Sequence, residues 1–186
     1  MKMQAFILSA VLAAPATLAA QAPQPPANPS SSNPAQLSHH DKLFLHTLAS
    51  EDQSEIDLAN LALHKSSNPQ VQQYARSKIL AADPAMKQGA VRLAAQHHTA
   101  ISSSPNQVQK AEYANLSNLS GNDFDRAYAR YEGKQQAEDL IAVQDETHSA
   151  KDPQVGSYAQ REVTPVQQAA QAAKQMAKSL GTHPHP

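Results

Sequence analysis

The pattern Asn68-Pro-Gln-Val-x-x-Tyr-Ala75 recurs as Asp152-Pro-Gln-Val-x-x-Tyr-Ala159, an offset of 84 residues. The same offset pairs Phe44 with Tyr128, His64 with His148 and Ile79 with Val163. An Asn or Asp followed by proline is a helix-start signal, because proline at the first helical position gives up an N–H that has no intrahelical partner there. The chain therefore reads as two copies of one unit, each holding a helix that starts at such a cap. A unit of this length accommodates a helical hairpin, and two hairpins packed together bury their apolar stripes as a four-helix bundle.

The periodicity supports this reading. From residue 41 to 181 the chain is rich in Ala and Gln and lacks runs of β-branched residues, a composition that favours helix. A first helix is expected from about Asp41 to Ser66, with Phe44, Leu48, Leu58, Ala59 and Ala62 on one stripe. A second runs from Pro69 to about His97, with Val71, Ala75, Ile79, Ala82, Met86, Ala90 and Leu93 in phase. A short helix, capped by Ser104 before Pro105, lies in the long crossover. Ser120 and Asp123 mark the start of a third long helix that carries Phe124, Tyr128, Tyr131, Ile141 and Ala142 and ends near Ser149. The fourth carries Val155, Ala159, Val163, Val166, Ala170, Ala173, Met176 and Leu180, and Gly181 stops it. Pro84 and Pro165 fall inside helices and are expected to kink them, freeing the carbonyls of Leu80 and Arg161. Leu48 and Met176 are expected to be fully buried.

The ends carry an address rather than a fold. Lys2, the apolar run from Ala5 to Ala14 and the small-residue close Ala20-Gln21-Ala22 read as a signal peptide over residues 1–22, cut after Ala20 or Ala22. The apolar run is too short to span a bilayer. Residues 23–40, dense in Pro, Ser and Asn, read as a disordered lead, and residues 182–186 as a loose tail carrying His183 and His185. The expected location is periplasmic or secreted, with no integral membrane segment after cleavage. With no cysteine the chain has no disulfide, thiolate metal site or cysteine nucleophile. With a net charge of -1 it lacks the basic footprint of a nucleic-acid binder.

Metal chemistry in a bundle needs inward Glu and His, with a Glu-x-x-His pair on each of two helices for a di-iron site. That pattern is missing. The stripe of the first helix reaches Glu51 and Glu55, and the repeat offset places Gln135 and Asp139 at the matching points of the third helix, flanked by Gln136. Asp83 adds a carboxylate on the second helix. These four acids, Glu51, Glu55, Asp83 and Asp139, are the candidate metal ligands, and no inward histidine answers them. Asp145-x-x-His148 is the nearest imitation of the motif, but it sits at a helix end. His39-His40 and His97-His98 are adjacent pairs whose members point about 100° apart on a helix, and both pairs are expected at the surface.

Residues 41–75, 119–130 and 152–177 together resemble the exported bacterial proteins of unknown function that carry a ferritin-like four-helix domain. The Glu55-Ile56 step, the Phe124-Asp125-Arg126-x-Tyr128 opening and Pro165 carry the likeness. The resemblance implies an all-α, ferritin-like four-helix bundle built from two repeated helical hairpins with a long crossover containing a short helix. It also implies inward histidines that this chain lacks: Ala81-Ala82 or Ala82-Asp83, Gln136 and Ala170 stand where the family has them. The expected function is therefore non-enzymatic, without a cofactor: an exported helical-bundle protein, envelope- or stress-related, with an unidentified protein partner. The alternative is a metal-binding or oxidative-stress protein using Glu51, Glu55, Asp83 and Asp139.

Overall fold

A computed structural model describes residues 36–182. The expected signal peptide, the lead as far as residue 35 and the tail from residue 183 lie outside the described residues. The described chain forms α1 (His39–Lys65), α2 (Pro69–Tyr74), a π-helical turn (Ala75–Ile79), α3 (Leu80–Gln96), α4 (Gln107–Ser117), α5 (Gly121–Ser149) and α6 (Pro153–Ser179). The second helix of the bundle is α2, the π turn and α3 in one uninterrupted rod. This rod packs antiparallel on α1, α6 packs on α5, and α4 lies in the crossover against α1. Among the described residues there is no strand, and no helix is long and apolar enough to cross a membrane.

Both repeat caps form. Asn68 accepts the N–H of Gln70 at 2.9 Å, and Asp152 that of Gln154 at 2.7 Å. Elsewhere the boundaries shift. Ser38 caps α1 by accepting the Asp41 N–H at 3.1 Å, so the helix begins at His39, inside the segment assigned to the lead. The crossover helix is capped by Asn106 in a capping box with Gln109, not by Ser104, because Gln109 can reach back to the Asn106 N–H. Ser120 precedes α5 but its side chain makes no cap bond. Gly181, with φ 68°, closes α6, and the N–H of Thr182 returns to the Ala177 carbonyl at 2.9 Å. That return bond buries Thr182, so the domain extends one residue into the expected tail.

The core has two apolar parts. One end of the bundle joins Leu58, Ala62, Val71, Tyr74, Ile79, Phe124, Tyr128 and Met176. The other joins Leu45, Leu48, Met86, Leu93, Val143, Val155, Tyr158 and Val166. Leu48 and Met176 are buried as expected. Phe44 and Tyr131 are only partly buried, and Ile141 is 60% exposed, so the inward stripes run through Leu45 on α1 and Val143 on α5. On α1 and α5 the residues between the two apolar parts are polar: Asp52 and Glu55, then Glu132, Gln136 and Asp139.

The π turn sets which residue of α3 joins that layer. Before it, buried positions of the two rods match at an offset of 84: Val71 with Val155, Tyr74 with Tyr158 and Ala75 with Ala159. After it they match at 83: Asp83 with Val166, Met86 with Ala169, Ala90 with Ala173 and Leu93 with Met176. One extra residue has been absorbed as a widened turn, as π-bulges commonly do. The consequence corrects the expected seam. Ala82 is only partly buried and Asp83 is 5% exposed. On α6, Val163 and Ala170 are half-buried, while Ala169 lies inside. Pro84 and Pro165 both lie within uninterrupted helices.

Candidate functional site

Five carboxyl side chains are buried in the middle of the bundle: Asp52 and Glu55 from α1, Asp83 from α3, and Glu132 and Asp139 from α5. Helical spacing places them there. Residues 48, 52, 55 and 59 share one face of α1, and 132, 136 and 139 share one face of α5, so the polar layer continues each apolar stripe. Among the described residues no lysine or arginine is buried. The layer thus has no internal counter-charge, and ionising it in place would carry a large desolvation cost.

The acids hold one another. Glu55 is in hydrogen-bonding contact with Asp83 and with Asp139, and Asp139 is in contact with Glu51. Where two of these carboxyls hydrogen-bond, one of them carries the proton, since an ionised carboxylate has no donor. The chain Glu51–Asp139–Glu55–Asp83 is fixed from the side by amides. Gln136 Nε2 donates to Glu55 Oε2 at 2.7 Å, and Gln135 Nε2 donates to Asp139 Oδ1 at 2.8 Å. Glu132 stands beside it, accepting from the Tyr74 hydroxyl at 3.0 Å. Asp52 Oδ2, Glu55 Oε1 and Asp83 Oδ2 meet no N–H or hydroxyl donor. The residues Asp52, Glu55 and Asp83 line a small cavity of about 10 Å³ together with Asp139, Leu48, Met86 and Pro165.

Burial is the first cause of the resulting electrostatics. It raises Glu51 to about 8, with Asp139 and Glu138 adding repulsion. It raises Asp83 to about 7, Glu132 to about 8 and Asp139 to about 6. Asp52 and Glu55 lie well above the ordinary carboxyl range, pushed by burial and then by Asp83. Glu51, half-buried, also lines an open surface cleft of about 640 Å³ between α1, α4 and α5, with Gln135 and Glu138. The carboxyl chain therefore runs from a solvent cleft to the bundle centre.

All four candidate acids, Glu51, Glu55, Asp83 and Asp139, come together in this chain. Asp52 and Glu132 escaped sequence reasoning, although the 48–52–55–59 spacing contains the signal for Asp52. Glu132 is harder to find, because its repeat partner is Leu48. Asp145 and His148 are exposed at the end of α5, away from the layer. His39, His40 and His98 are exposed, but His97 is 2% exposed, contrary to expectation. It tucks beneath the start of α6, with Nδ1 3.6 Å from Asp152 Oδ2.

The family model described as "Domain of unknown function (DUF4142)" matches residues 26–176. The fold is similar to that in "Crystal structure of DUF305 fragment from Deinococcus radiodurans", with a TM-score of 0.66 and 17% identity over 78% of this chain and 98% of that one. No curated protein matches the sequence.

Proposed function

The chain belongs to the DUF4142 family, and from that premise we propose a non-enzymatic, exported helical-bundle protein whose core takes up protons from its surroundings. One observation carries the reading: a run of carboxyl contacts, each needing a proton, leads from the cleft at Glu51 to Asp83 without a buried cation beside it. A protein exported to the periplasm or medium meets external pH directly, and a core of this kind ties its rigidity to that pH. The Lys2-led apolar run and the Ala20-Gln21-Ala22 close support export. Around the layer, α4 and the cleft beside it offer a face for an envelope- or stress-related protein partner. The test is thermal melting of the mature protein in chelator between pH 5 and pH 9. The melting temperature should fall as pH rises, and a flat or rising profile would refute the reading. N-terminal sequencing of the protein recovered from a periplasmic extract checks the address.

A second reading has its own observation. Asp52, Glu55, Asp83 and Asp139 line one cavity, and the first three each carry an oxygen without a donor, so a divalent cation could draw on them, with Glu51 reaching the cluster through Asp139. Elemental analysis after reconstitution decides. Less than about a tenth of an equivalent of iron or manganese, the level of adventitious binding, together with a zinc content that Glu55→Gln leaves unchanged, removes this alternative.

A further inference from the structure

At the far end of the bundle from Met176, three side chains outside the carboxyl layer converge. His40 Nε2 lies 2.7 Å from Glu146 Oε2, and one ligand atom each from His40, Asp41 and Glu146 falls within 4.8 Å of the others. We propose that these three residues form a binding site for a borderline divalent cation of the zinc, nickel or copper class, a reading independent of the proton-uptake proposal. One imidazole with two carboxylates is a donor set suited to such ions. A tetrahedral ion with bonds of about 2.1 Å sets its ligand atoms about 3.4 Å apart, inside the 4.8 Å span of the three atoms but wider than the 2.7 Å His40–Glu146 contact, which an entering ion would open.

The surroundings favour a ligand. Glu146 is 3% exposed, and its Oε1 meets no donor. The other oxygen is held at 2.7 Å from His40 and accepts from the Ser149 hydroxyl at 3.2 Å. Asp41, fully buried, is oriented by the Lys151 N–H at 2.8 Å, the Asp152 N–H at 3.2 Å and the Ser38 hydroxyl at 2.8 Å. Two carboxylate oxygens carry about four acceptor positions, so these bonds fix the group and leave a lone pair for an ion. His40 is half-exposed and leaves a path from solvent.

The duplicated end supplies an internal control. At the 84-residue offset Asp41 corresponds to Asp125, which is also buried, whereas His40 corresponds to Phe124 and Glu146 to Ala62. The aspartate belongs to both ends of the scaffold. The imidazole and the second carboxylate were placed at one end, where an apolar pair fills the same positions at the other.

The test uses the full chain carrying His183→Ala and His185→Ala, which removes the tail histidines as competitors. Zinc chloride is titrated calorimetrically after chelator treatment, with melting recorded at each ratio. The expected result is one saturable equivalent and a raised melting temperature. His40→Ala, on an exposed residue that the fold does not need, should weaken binding at least tenfold, and Glu146→Gln should do the same. His39→Ala and Glu55→Gln should leave it unchanged. If His40→Ala binds zinc like its parent, or if uptake is weak and non-saturating as for an adventitious ion only, the site is overturned. Zinc binding lost with Glu55→Gln but kept with His40→Ala would move the metal to the carboxyl layer and equally overturn it.

Discussion

The two hairpins share their apolar positions and differ at their middles. Glu55 and Asp139 are repeat partners and acidic in both halves. At the remaining inward places of the layer one copy is acidic where the other is not: Asp52 faces Gln136 as its counterpart, Asp83 faces Val166, and Glu132 faces Leu48. Apart from the Glu55–Asp139 pair, each buried acid of the layer is matched in the other copy by an apolar or amide side chain. Asp52, Asp83 and Glu132 are thus properties of the asymmetry, whereas the Glu55–Asp139 pair and the bundle are properties of the repeat.

The sharpest attack on this comparison swaps the two halves at one position. Val166→Asp adds an acid to a layer that already lacks counter-charge, and should cost about 3 kcal/mol or more in urea unfolding at pH 8, with a smaller loss at pH 5. An equal loss at both pH values would mean that the new group escapes to solvent. Leu48→Ala and Met176→Ala probe the two apolar ends separately, and each should cost about 2 to 4 kcal/mol. Unchanged urea midpoints would show that the flanking clusters do not carry the bundle.

The pH profile follows from the raised carboxyls. Their folded values lie above the unfolded ones, so their contribution is complete below about pH 4 and is lost as pH rises through the folded range, about 6 for Asp139, 7 for Asp83 and 8 for Glu51 and Glu132. Melting should therefore drop by about 4 °C or more between pH 5 and pH 8 in chelator, given that 1 kcal/mol shifts a chain of this size by about 2 to 4 °C. Asp83→Val, which copies the second hairpin into the first, should raise stability at pH 8 by about 1 to 3 kcal/mol and flatten the profile. A steeper profile would assign the titration elsewhere. The smallest effect is at the shared caps: Asn68→Ala should cost about 1 kcal/mol, and Asp152→Ala more, since Asp152 makes the same cap bond and also faces the buried His97. Equal losses would show that the His97 contact adds nothing to the second cap.

Much of this was legible in the residues. The Asx-Pro-Gln-Val repeat predicts both hairpins and their caps, and the apolar spacing predicts Leu48, Val71 and Met176 inside. Glu55 and Asp139 follow from the same offset. The burial of Asp83 in place of Ala82 escaped for a geometric reason: sequence phase assumes a constant 3.6 residues per turn, and the π turn at Ala75–Ile79 breaks that assumption. Counting on from Val71 and Ala75 places Ala82 inward, whereas the widened turn delivers Asp83. The Asn106 cap escaped for another reason, since Ser104-Pro105 carries the stronger local signal and the choice depends on Gln109 reaching back. His97 escaped because its burial is produced by the start of α6, a partner remote in sequence.

The polar layer between two apolar ends also works as a registration mark. If one hairpin slid along the other by a single turn, about 5.4 Å, the carboxyls of α1 would leave their amide and acid partners on α5 and enter the packing of Tyr128 or Val143. Ala-rich helices offer shallow grooves that resist such sliding weakly, but stranding unpaired acids among hydrocarbon resists it strongly. The acids that make the core expensive to ionise thereby specify one alignment of the rods.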